Sequence, residues 1–375
     1  MAVTAQHTVR DKNLPGSVQE FLKSVLNLEE ISTIFVPQHM PMKNAVMPAL
    51  ISDPEKMADA DPLTPSFPIN SAKLISRLTR KKTNEKIVVV LRPCEIRAFI
   101  ELIKLKQGNT DEIIIIGADC LGAYPNKVYN DMALQDPDTL SEFSKNILSG
   151  KEDPNLASAC SVCEHPEPTG ADIIIGLYGM ETDSAFLVKS MTDAGDEILG
   201  TLDLSSSEEP ESRKQALEAL ISNRTSARDK MFEQTEESIS NIEKLSTYLA
   251  NCVNCYNCRV ACPVCYCKEC VFVTDVFNHN PVQYLQWSKN KGAIKMPTDT
   301  IFFHMTRIAH MSTACIGCGQ CSNACPNDIP LTELFRTVSR RTQASFDYEA
   351  GRSVDEIPPL SEFKEDEYGE VVGID

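Results

Sequence analysis

The sequence predicts an α/β domain, then a helical connector, and then a small cysteine-rich domain. Strand-sized apolar runs alternate with helical patterns through about the first 200 residues. A charged, helix-favouring stretch follows at residues 205–248. Eleven of the 15 cysteines then fall between Cys252 and Cys325. We therefore expect a core domain at residues 1–204, a connector at 205–249, a cysteine-rich domain at 250–342 and an acidic tail at 343–375.

The composition excludes several classes of protein. The chain has 375 residues with 42% hydrophobic content, enough for two or three domains with a sizeable core. Its net charge of −17 lacks the basic footprint of a nucleic-acid binder. No apolar run approaches the roughly 18 residues of a membrane span, and the opening MAVTAQHTVRDKNLPG has no apolar segment typical of a signal peptide. We expect a cytoplasmic protein without a membrane span and without a nucleic-acid partner.

The predicted core domain alternates helices with buried strands. Helical spacing of apolar residues predicts helices over Gly16–Leu26, Ser71–Lys82 and Glu95–Lys106. Short apolar runs with polar borders predict strands over Thr33–Val36, Lys86–Leu91, Glu112–Ile116, Asp172–Ile175 and Ala185–Val188. This strand–helix–strand order favours a sheet with some parallel pairing.

The rest of the chain is expected to be mainly helical. The connector predicts one or two helices, and a further helix is predicted near Thr300–His310. The acidic segment from about Asp347 to Asp375 is typical of a disordered extension, or of one that drapes over a partner.

One cysteine spacing occurs twice in the cysteine-rich domain. It is C-x2-C-x2-C-x3-C-P, the run that holds [4Fe–4S] cubanes in two-cluster ferredoxins. Three closely spaced cysteines grip one cubane, and the fourth usually completes the other one. We expect one cubane on Cys252, Cys255, Cys258 and Cys325, and a second on Cys262, Cys315, Cys318 and Cys321. The domain is therefore predicted to be a two-cluster, ferredoxin-like unit that transfers electrons.

Disulfides and zinc sites are two other uses of closely spaced cysteines. Disulfides suit a secreted chain, which this one does not resemble. Zinc sites favour paired C-x2-C units with a longer spacer, and a zinc-bearing or regulatory interaction module is the alternative of a different class. So many thiols also suggest an anaerobic host, because thiolates and exposed clusters oxidise readily.

Four more cysteines lie in the predicted α/β domain. Cys94 and Cys120 each follow a predicted strand, while Cys160 and Cys163 form a C-x2-C before another. If the first two strands are parallel neighbours, both cysteines reach the carboxyl edge, where open α/β sheets bind ligands. The four could hold a third cubane. Alternatively, Cys94 and Cys120 are buried small apolar residues, as free cysteines often are.

Cys265, Cys267 and Cys270 remain outside the doubled spacing. They are either packing residues and spare thiols, or three ligands of a further cubane that needs a fourth ligand from elsewhere. His304 and His310 are near in sequence but are treated as ordinary surface or packing residues, and Arg307 is treated in the same way.

Several motifs occur in the order found in one known family. They are GSVQEFLKSVL (16–26), PALISDP (48–54), RPCEIRA (92–98), IIIGADCLG (114–122), CSVC…ADIIIGLYG (160–179), NCVNCYNCRVACPVCYCKEC (251–270) and FHMTRIAHMSTACIGCGQCSNACPNDIPL (303–331). From about Gly16 to Thr342 the chain resembles the flavin-containing beta subunits of formate dehydrogenases and hydrogenases that use the deazaflavin coenzyme F420. The formate dehydrogenase branch is the more similar, because of CPVCYCKEC and the paired cluster motifs. This family often opens the early helix with two glycines, whereas this chain has Gly16, Ser17 and Val18.

The resemblance implies FAD in the α/β domain beside a cubane on Cys94, Cys120, Cys160 and Cys163. The fold class is then a flavin-binding α/β (α+β) core, a helical connector and a C-terminal two-cluster ferredoxin-like domain. Candidate flavin contacts are the amides at Gly16 and Ser17, because helix N-termini suit a pyrophosphate, and the side chains of Arg92 and Arg97. Glycines at strand ends, where a cofactor can approach closely, complete the candidates: Gly117, Gly122, Gly176 and Gly179.

The expected function is that of an oxidoreductase subunit acting in a complex. No nicotinamide, nucleotide, serine-hydrolase or metalloprotease motif is found in the sequence. Because it also lacks molybdenum or nickel machinery, the chain needs a partner, namely a formate dehydrogenase catalytic (alpha) subunit or hydrogenase subunits. It would pass electrons between FAD, with coenzyme F420 as donor or acceptor, and [4Fe–4S] clusters. The alternative is a flavin and cluster relay to heterodisulfide reductase subunits without F420 chemistry.

Overall fold

A computed structural model describes residues 3–41, 45–151, 153–267, 269–274, 279–294 and 299–362. Its centre is a mixed sheet in which eight strands are found among these residues. In chain order the strands are β1 (Thr4–Thr8), β2 (Ile31–His39), β3 (Val46–Ile51), β4 (Lys86–Leu91), β5 (Ile113–Ala118), β6 (Ile173–Gly176), β7 (Ala185–Ser190) and β8 (Ser205–Ser206). All five predicted strands are confirmed, and β1, β3 and β8 are additions.

The helices surround this sheet and form the rest of the chain. In the α/β domain they are α1 (Leu14–Leu26), α2 (Ala72–Leu78), α3 (Pro93–Lys104), α4 (Asn126–Gln135), α5 (Pro137–Ser141), α6 (Phe143–Leu148), α7 (Ser158–Ser161) and α8 (Asp193–Thr201). The later helices are α9 (Glu211–Ser238), α10 (Ile242–Tyr248), α11 (Asn257–Ala261), α12 (Pro281–Lys291), α13 (Thr300–Met311), α14 (Gln320–Asn323) and α15 (Leu331–Ser345). Short 3-10 turns cover Pro54–Asp59 and Val271–Val273.

Strand direction brings several loops to one edge of the sheet. The order is β3-β2-β4-β5-β6-β7-β1-β8. Strands β2, β4, β5 and β6 pair in parallel, while β7 is antiparallel to both β6 and β1. The carboxyl ends of β1, β2, β4, β5 and β6 therefore lie at one edge, where α/β sheets bind ligands. The parallel pairing predicted from the sequence is confirmed.

The sheet is covered on both faces, which explains its continuous apolar runs. Val88 and Val90 of β4 pack in the core that contains α1, whereas Val89 and Leu91 pack in the core that contains α2 and α3. Side chains alternate in this way because successive residues of a strand point to opposite faces. Each fully buried Val, Leu or Ile contributes about 1.5–3 kcal/mol, so the two cores hold the strand ends in a rigid frame.

The cysteine-rich domain shares one of these two cores. Buried residues of α13 and α15, among them Phe303, Leu334 and Phe335, belong to the same apolar cluster as Ile96 and Phe99 of α3. The connector α9 also packs against α15. The two parts are therefore joined by side-chain packing, and the cysteine loops of one face the sheet edge of the other.

The first part of the predicted acidic tail is ordered, which differs from the disordered or partner-bound extension that the sequence predicts. Tyr348 and Ala350 are buried at 6% and 0% exposure, and the Tyr348 hydroxyl donates to the Glu101 carboxylate on α3 at 2.7 Å. Arg97 also donates to the Ala350 carbonyl at 2.7 Å. The segment just after α15 is thus packed on the α/β domain, because its few apolar and aromatic residues find a buried site there. Residues 363–375 lie outside the described residues.

Among the described residues, no helix combines the length and the apolar character needed to cross a bilayer.

Candidate metal centre

Four cysteines of the α/β domain meet at the carboxyl edge of the sheet. Cys94 lies in the first turn of α3 after β4, and Cys120 follows the neighbouring parallel strand β5. Cys160 belongs to the short helix α7, with Cys163 just beyond it. All four line one cavity. We call these residues the core thiol group; they are the four cysteines that the sequence analysis proposed for a third cubane.

Arg92 holds the loops around the core thiol group in place. Its buried guanidinium donates to the carbonyls of Gly122 at 3.0 Å, Thr64 at 2.5 Å and Ser66 at 2.9 Å. It also lies 4.9 Å from the centre of the Phe67 ring. The loop after β4, the loop after β5 and residues 64–67 are therefore tied together around the thiols.

The core thiols are in a poor environment for free thiolates. Burial, together with the neighbouring sulfurs of Cys120 and Cys163, raises the pKa of Cys160 to about 12. Burial also raises the pKa of Cys94, with Cys120 and Cys318 adding to the effect. Thiols must lose their protons to bind metal, and bound iron supplies the positive charge that compensates for burial. The arrangement fits a metal cluster better than four isolated cysteines.

The first copy of the doubled spacing forms a second four-thiol group. Its cysteines line one cavity together with Phe303 and His304. We call it the first-motif group: Cys252, Cys255, Cys258 and Cys325. The fourth residue comes from the second copy of the spacing, which is the crossed arrangement expected for a two-cluster ferredoxin.

The second copy forms the complementary group. Burial raises the pKa of Cys318 and Cys321, and the electrostatic neighbours of each include Cys262 and Cys315. We call it the second-motif group: Cys262, Cys315, Cys318 and Cys321. Each copy of the spacing thus gives its fourth cysteine to the other group: Cys262 joins the second-motif group, and Cys325 joins the first-motif group.

Both loops use the same backbone geometry to turn their cysteines inward. Gly317 and Gly319 have φ of 73° and 79°, and the equivalent positions of the first copy, Asn254 and Tyr256, have φ of 50° and 60°. Left-handed residues are easily accommodated as glycine and uncommon as tyrosine. The first loop therefore keeps the fold of a cluster loop, with an asparagine that tolerates this conformation at position 254 and a tyrosine that does not favour it at position 256.

The three groups form a series. Cys318 of the second-motif group also lines the cavity of the core thiol group. Arg307 lies between the two ferredoxin-like groups. Its guanidinium interacts electrostatically with Cys258 of one group and with Cys262 and Cys321 of the other. The second-motif group is therefore the middle one. This order was not predictable from spacing, since it depends on how the two domains pack.

His304 and Arg307 were expected to be ordinary surface or packing residues, but both contact cysteine sulfurs. His304 is fully buried, with Nε2 3.4 Å from the Cys252 Sγ. Arg307 donates from Nη1 to the Cys258 Sγ at 3.1 Å. They are three residues apart on α13, so they share a face of the helix. That helical spacing, on a helix between the two motifs, is the signal that could have identified them. His310 is exposed, as expected of a surface residue.

The last three cysteines do not complete a fourth group among the described residues. Cys265 is half-buried beside Cys262 and Lys73, Cys267 is exposed, and Cys270 precedes the Val271–Val273 turn. Across the described ranges, the three cysteine groups included, no three His, Cys, Asp or Glu side chains converge on a single metal ion. The thiolates of a cubane each bind a different iron atom, so this finding concerns sites for one ion. A further cubane on these cysteines stays a prediction.

The predicted flavin contacts at the α1 N-terminus and at the two arginines already have protein partners. The Gly16 amide donates to the Asn13 side chain at 3.0 Å, and the Ser17 amide donates to the Asn13 carbonyl at 3.0 Å. Arg92 is engaged as described, and Arg97 donates to the carbonyls of Ile316 and Ala350. The structure thus gives both arginines a structural role, and α1 is capped by its own chain.

The predicted glycines have close protein neighbours as well. A Cβ at Gly117 would meet Pro168 at 2.3 Å, one at Gly176 would meet Arg213 at 2.8 Å, and one at Gly179 would meet backbone of Ser212 at 2.3 Å. A Cβ at Gly122 would meet Leu156 at 2.9 Å. The close approach that the sequence analysis assigned to a cofactor is made by protein atoms at all four positions.

The fold and the cysteine groups define a class: an α/β protein with an iron–sulfur, ferredoxin-like C-terminal segment. The 4Fe-4S binding domain family matches residues 309–330, which include the second copy of the doubled spacing. This match agrees with a mixed α/β core that is followed by a ferredoxin-like segment.

Two curated relatives give the chain its particular resemblance. The F420-dependent formate dehydrogenase subunit beta of Methanocaldococcus jannaschii is 27% identical over 372 residues, which cover 92% of this chain and 93% of the relative. The F420-dependent formate dehydrogenase 1 subunit beta of Methanococcus maripaludis is 27% identical over 73% of this chain and 75% of the relative. The resemblance to these beta subunits is therefore confirmed over nearly the whole chain.

One solved structure is also similar. A chain from the F420-reducing [NiFe] hydrogenase complex of Methanosarcina barkeri matches 65% of this chain and 94% of its own length, with 16% identity and a TM-score of 0.46.

Proposed function

We propose that this chain carries electrons through three [4Fe–4S] clusters as the beta subunit of a formate dehydrogenase-type complex. The observation that carries the proposal is the series of three four-cysteine groups with Cys318 at the junction of two of them. Clusters accept and release one electron at a time, and the protein sets their spacing and potentials. The series gives electrons a path from the sheet edge, through the second-motif group, to the first-motif group.

The chain's own residues would hold this path in place. Arg92 joins the loops of the core thiol group. Arg336 donates to the Val162 carbonyl at 3.0 Å, between Cys160 and Cys163, and its side chain lies against the Gly317 backbone position of the second-motif loop. One arginine therefore braces the core thiol group against the middle group. This fixed geometry keeps the distance between two electron carriers constant.

The first-motif end of the series is the side we assign to a partner subunit. Cys255 is exposed, and Val253 and Val260 beside it are 57% and 66% exposed. Exposed apolar side chains grouped around a redox centre favour a protein interface. By similarity to the two relatives, we propose a formate dehydrogenase catalytic subunit as this partner and coenzyme F420 as the other redox substrate of the complex.

FAD remains a prediction from the resemblance, and so do its proposed contacts, several of which already have protein partners. The Gly16 amide is capped, the donors of Arg92 and Arg97 face carbonyl oxygens, and the strand-end glycines are closed by protein atoms. We therefore assign no step to a flavin. Flavin analysis of the anaerobically purified chain checks the prediction directly.

These engaged contacts favour a second candidate function. The chain would be a relay of clusters between protein partners, such as heterodisulfide reductase subunits, with no F420 chemistry of its own. Reduction of the purified chain by reduced F420 separates the two candidates. It succeeds if a flavin or equivalent two-electron site is present, and it fails if the clusters exchange electrons with proteins alone.

Iron content and spectra test the proposed function. The full chain, purified anaerobically, should hold about twelve iron atoms, four for each of three cubanes. Cys94→Ser should lose about four of them and keep the signals of the other two clusters. Arg341→Met is the control, because this exposed arginine of α15 pairs with Glu236 and belongs to none of the cysteine groups, so the variant should keep all of the iron. Zinc in place of iron, or full iron content in Cys94→Ser, contradicts the proposal.

A further inference from the structure

Arg307 is a buried cation placed between two groups of sulfur atoms. It is 5% exposed, and its guanidinium lies 4.5 Å from the centre of the Phe335 ring. Nη1 donates to the Cys258 Sγ at 3.1 Å, and Nη2 donates to the carbonyl of the same residue at 3.2 Å. The guanidinium is therefore fixed by a two-pronged contact with one cysteine of the first-motif group.

The balancing charge for Arg307 comes from cysteines. Within the part of the chain that the structure describes, it makes no ion pair with a carboxylate, and its Nε has no hydrogen-bond partner. Nη1 contacts the Cys258 Sγ, and the sulfurs of Cys262, Cys321 and Cys265 are near enough to interact with the guanidinium charge. A buried charge without a partner is costly. The site is consistent only if the surrounding sulfurs are negative, as they are when they bind iron.

Arg307 acts unequally on the two ferredoxin-like groups. It donates a hydrogen bond to a sulfur of the first-motif group, whereas it influences the second-motif group through its charge alone. His304, on the same face of α13, places Nε2 3.4 Å from the Cys252 Sγ and so adds a second contact to the first-motif group. Hydrogen bonds to sulfur and nearby positive charge are two of the means by which proteins tune cluster potentials.

We propose that Arg307 is a positioning residue that raises the reduction potential of the first-motif cluster above that of the second-motif cluster. The inference rests on the proposed function, because it requires both clusters. Reduction adds negative charge to a cluster, so a fixed cation and a hydrogen-bond donor stabilise the reduced state more than the oxidised one.

The consequence is a direction of electron flow. With clusters bound to both groups, one electron would leave the cluster of the second-motif group, which would be oxidised, and enter that of the first-motif group, which would be reduced, with no bond made or broken. Electrons then collect at the first-motif cluster, on the side of the exposed Cys255. Arg307 would thus make the exposed end of the series the acceptor end.

Redox titration of the full chain, followed by electron paramagnetic resonance, tests this. The first-motif signal is identified as the one altered by Cys255→Ser. Arg307→Gln keeps an N–H donor but removes the charge, and we expect its first-motif midpoint to fall by about 59 mV, a tenfold change for a one-electron couple. Arg307→Lys keeps the charge but loses the planar guanidinium, so its first-motif midpoint should fall by a smaller amount. The second-motif midpoint should move less than the first in both variants.

The control is Arg341→Met, which removes an exposed arginine of α15 that pairs with Glu236. It should leave all midpoints unchanged. An unchanged first-motif midpoint in Arg307→Gln, or equal shifts of all clusters, overturns the proposal. If Arg307→Gln loses the cluster, an unchanged midpoint in Arg307→Lys overturns it instead. A wild-type chain without iron contradicts the proposed function, which is a distinguishable result.

Discussion

The buried ion pair between Arg213 and Asp119 holds the connector on the sheet edge beside the core thiol group. The two side chains are 1% and 0% exposed. Arg213, in the first turn of α9, donates from Nη2 to the Asp119 Oδ1 at 3.0 Å, and Nη1 contacts the other oxygen. Asp119 immediately precedes Cys120. Replacing Arg213 by Met should therefore affect both stability and the core thiol group.

The size of the effect follows from what remains around Asp119. Breaking a buried ion pair by removing one partner costs about 3–5 kcal/mol, because an uncompensated charge stays behind. Asp119 keeps two backbone donors, the amides of Leu177 at 2.7 Å and Tyr178 at 3.1 Å. We therefore expect the free energy of unfolding to fall by about 3 kcal/mol, the lower end of this range. With an unfolding entropy of about 2.1 cal/mol/K per residue, a chain of 375 residues loses about 1.3 °C for each kcal/mol, so the melting temperature should fall by about 4 °C.

Thermal unfolding of the full chain under anaerobic conditions, followed by circular dichroism, measures this change. Arg341→Met is the control, because its side chain is 71% exposed and an exposed pair contributes at most about 1 kcal/mol. The double variant Asp119→Asn with Arg213→Met should recover part of the loss, since no buried charge remains. A melting temperature of Arg213→Met within about 2 °C of wild type would refute the reasoning.

Three further predictions concern other regions. Gly179→Ala should destabilise the chain by more than about 1 kcal/mol, because Gly179 has φ of 70° and a Cβ would lie 2.3 Å from the start of α9; a melting curve checks it. Asp61→Asn should lower the pKa of His39 towards 6.5, because the hydrogen bond that the His39 ring donates to the Asp61 carboxylate raises it. The stabilisation from this pair is present below pH 6.5 and is lost as pH rises through the raised pKa, and a titration of the His39 ring resonances by nuclear magnetic resonance measures the pKa. Tyr348→Ala should free the segment after α15, because it removes the hydrogen bond to Glu101; faster proteolysis of that segment, with unchanged iron content, is the expected result.

The features that the sequence determined are local ones. The doubled spacing predicted which cysteines lie together, and the structure places Cys325 with the first copy and Cys262 with the second. Apolar runs predicted β4, β5, β6 and β7, because strands buried on both faces carry no polar alternation. Spacing within a loop and burial within a strand are properties of a few consecutive residues, so they can be read directly.

Strands near the two edges of the sheet and the first part of the tail were not predicted from the sequence. Strand β3 contains Pro48 and pairs with one neighbour only, and β1 is short and partly polar. The pairing of β1 depends on β7, which is far away in the chain, whereas β3 pairs with the preceding strand β2 and its proline hides the strand pattern. The segment around Tyr348 is acidic, yet it is ordered by Glu101 and Lys104 of α3, about 245 residues away. Composition describes the segment itself and carries no information about the surface that receives it.

Only the tertiary structure decided how the cysteine groups relate to one another. Cys94 and Cys318 share a cavity although more than 200 residues separate them, because the apolar faces of α3, α13 and α15 form one core. The same packing fills the glycine positions with protein atoms and places Arg307 between two sets of sulfurs. The sequence alone determined the cluster loops and the α/β order, while the series of groups and the residues that tune it arise from long-range burial of apolar surface.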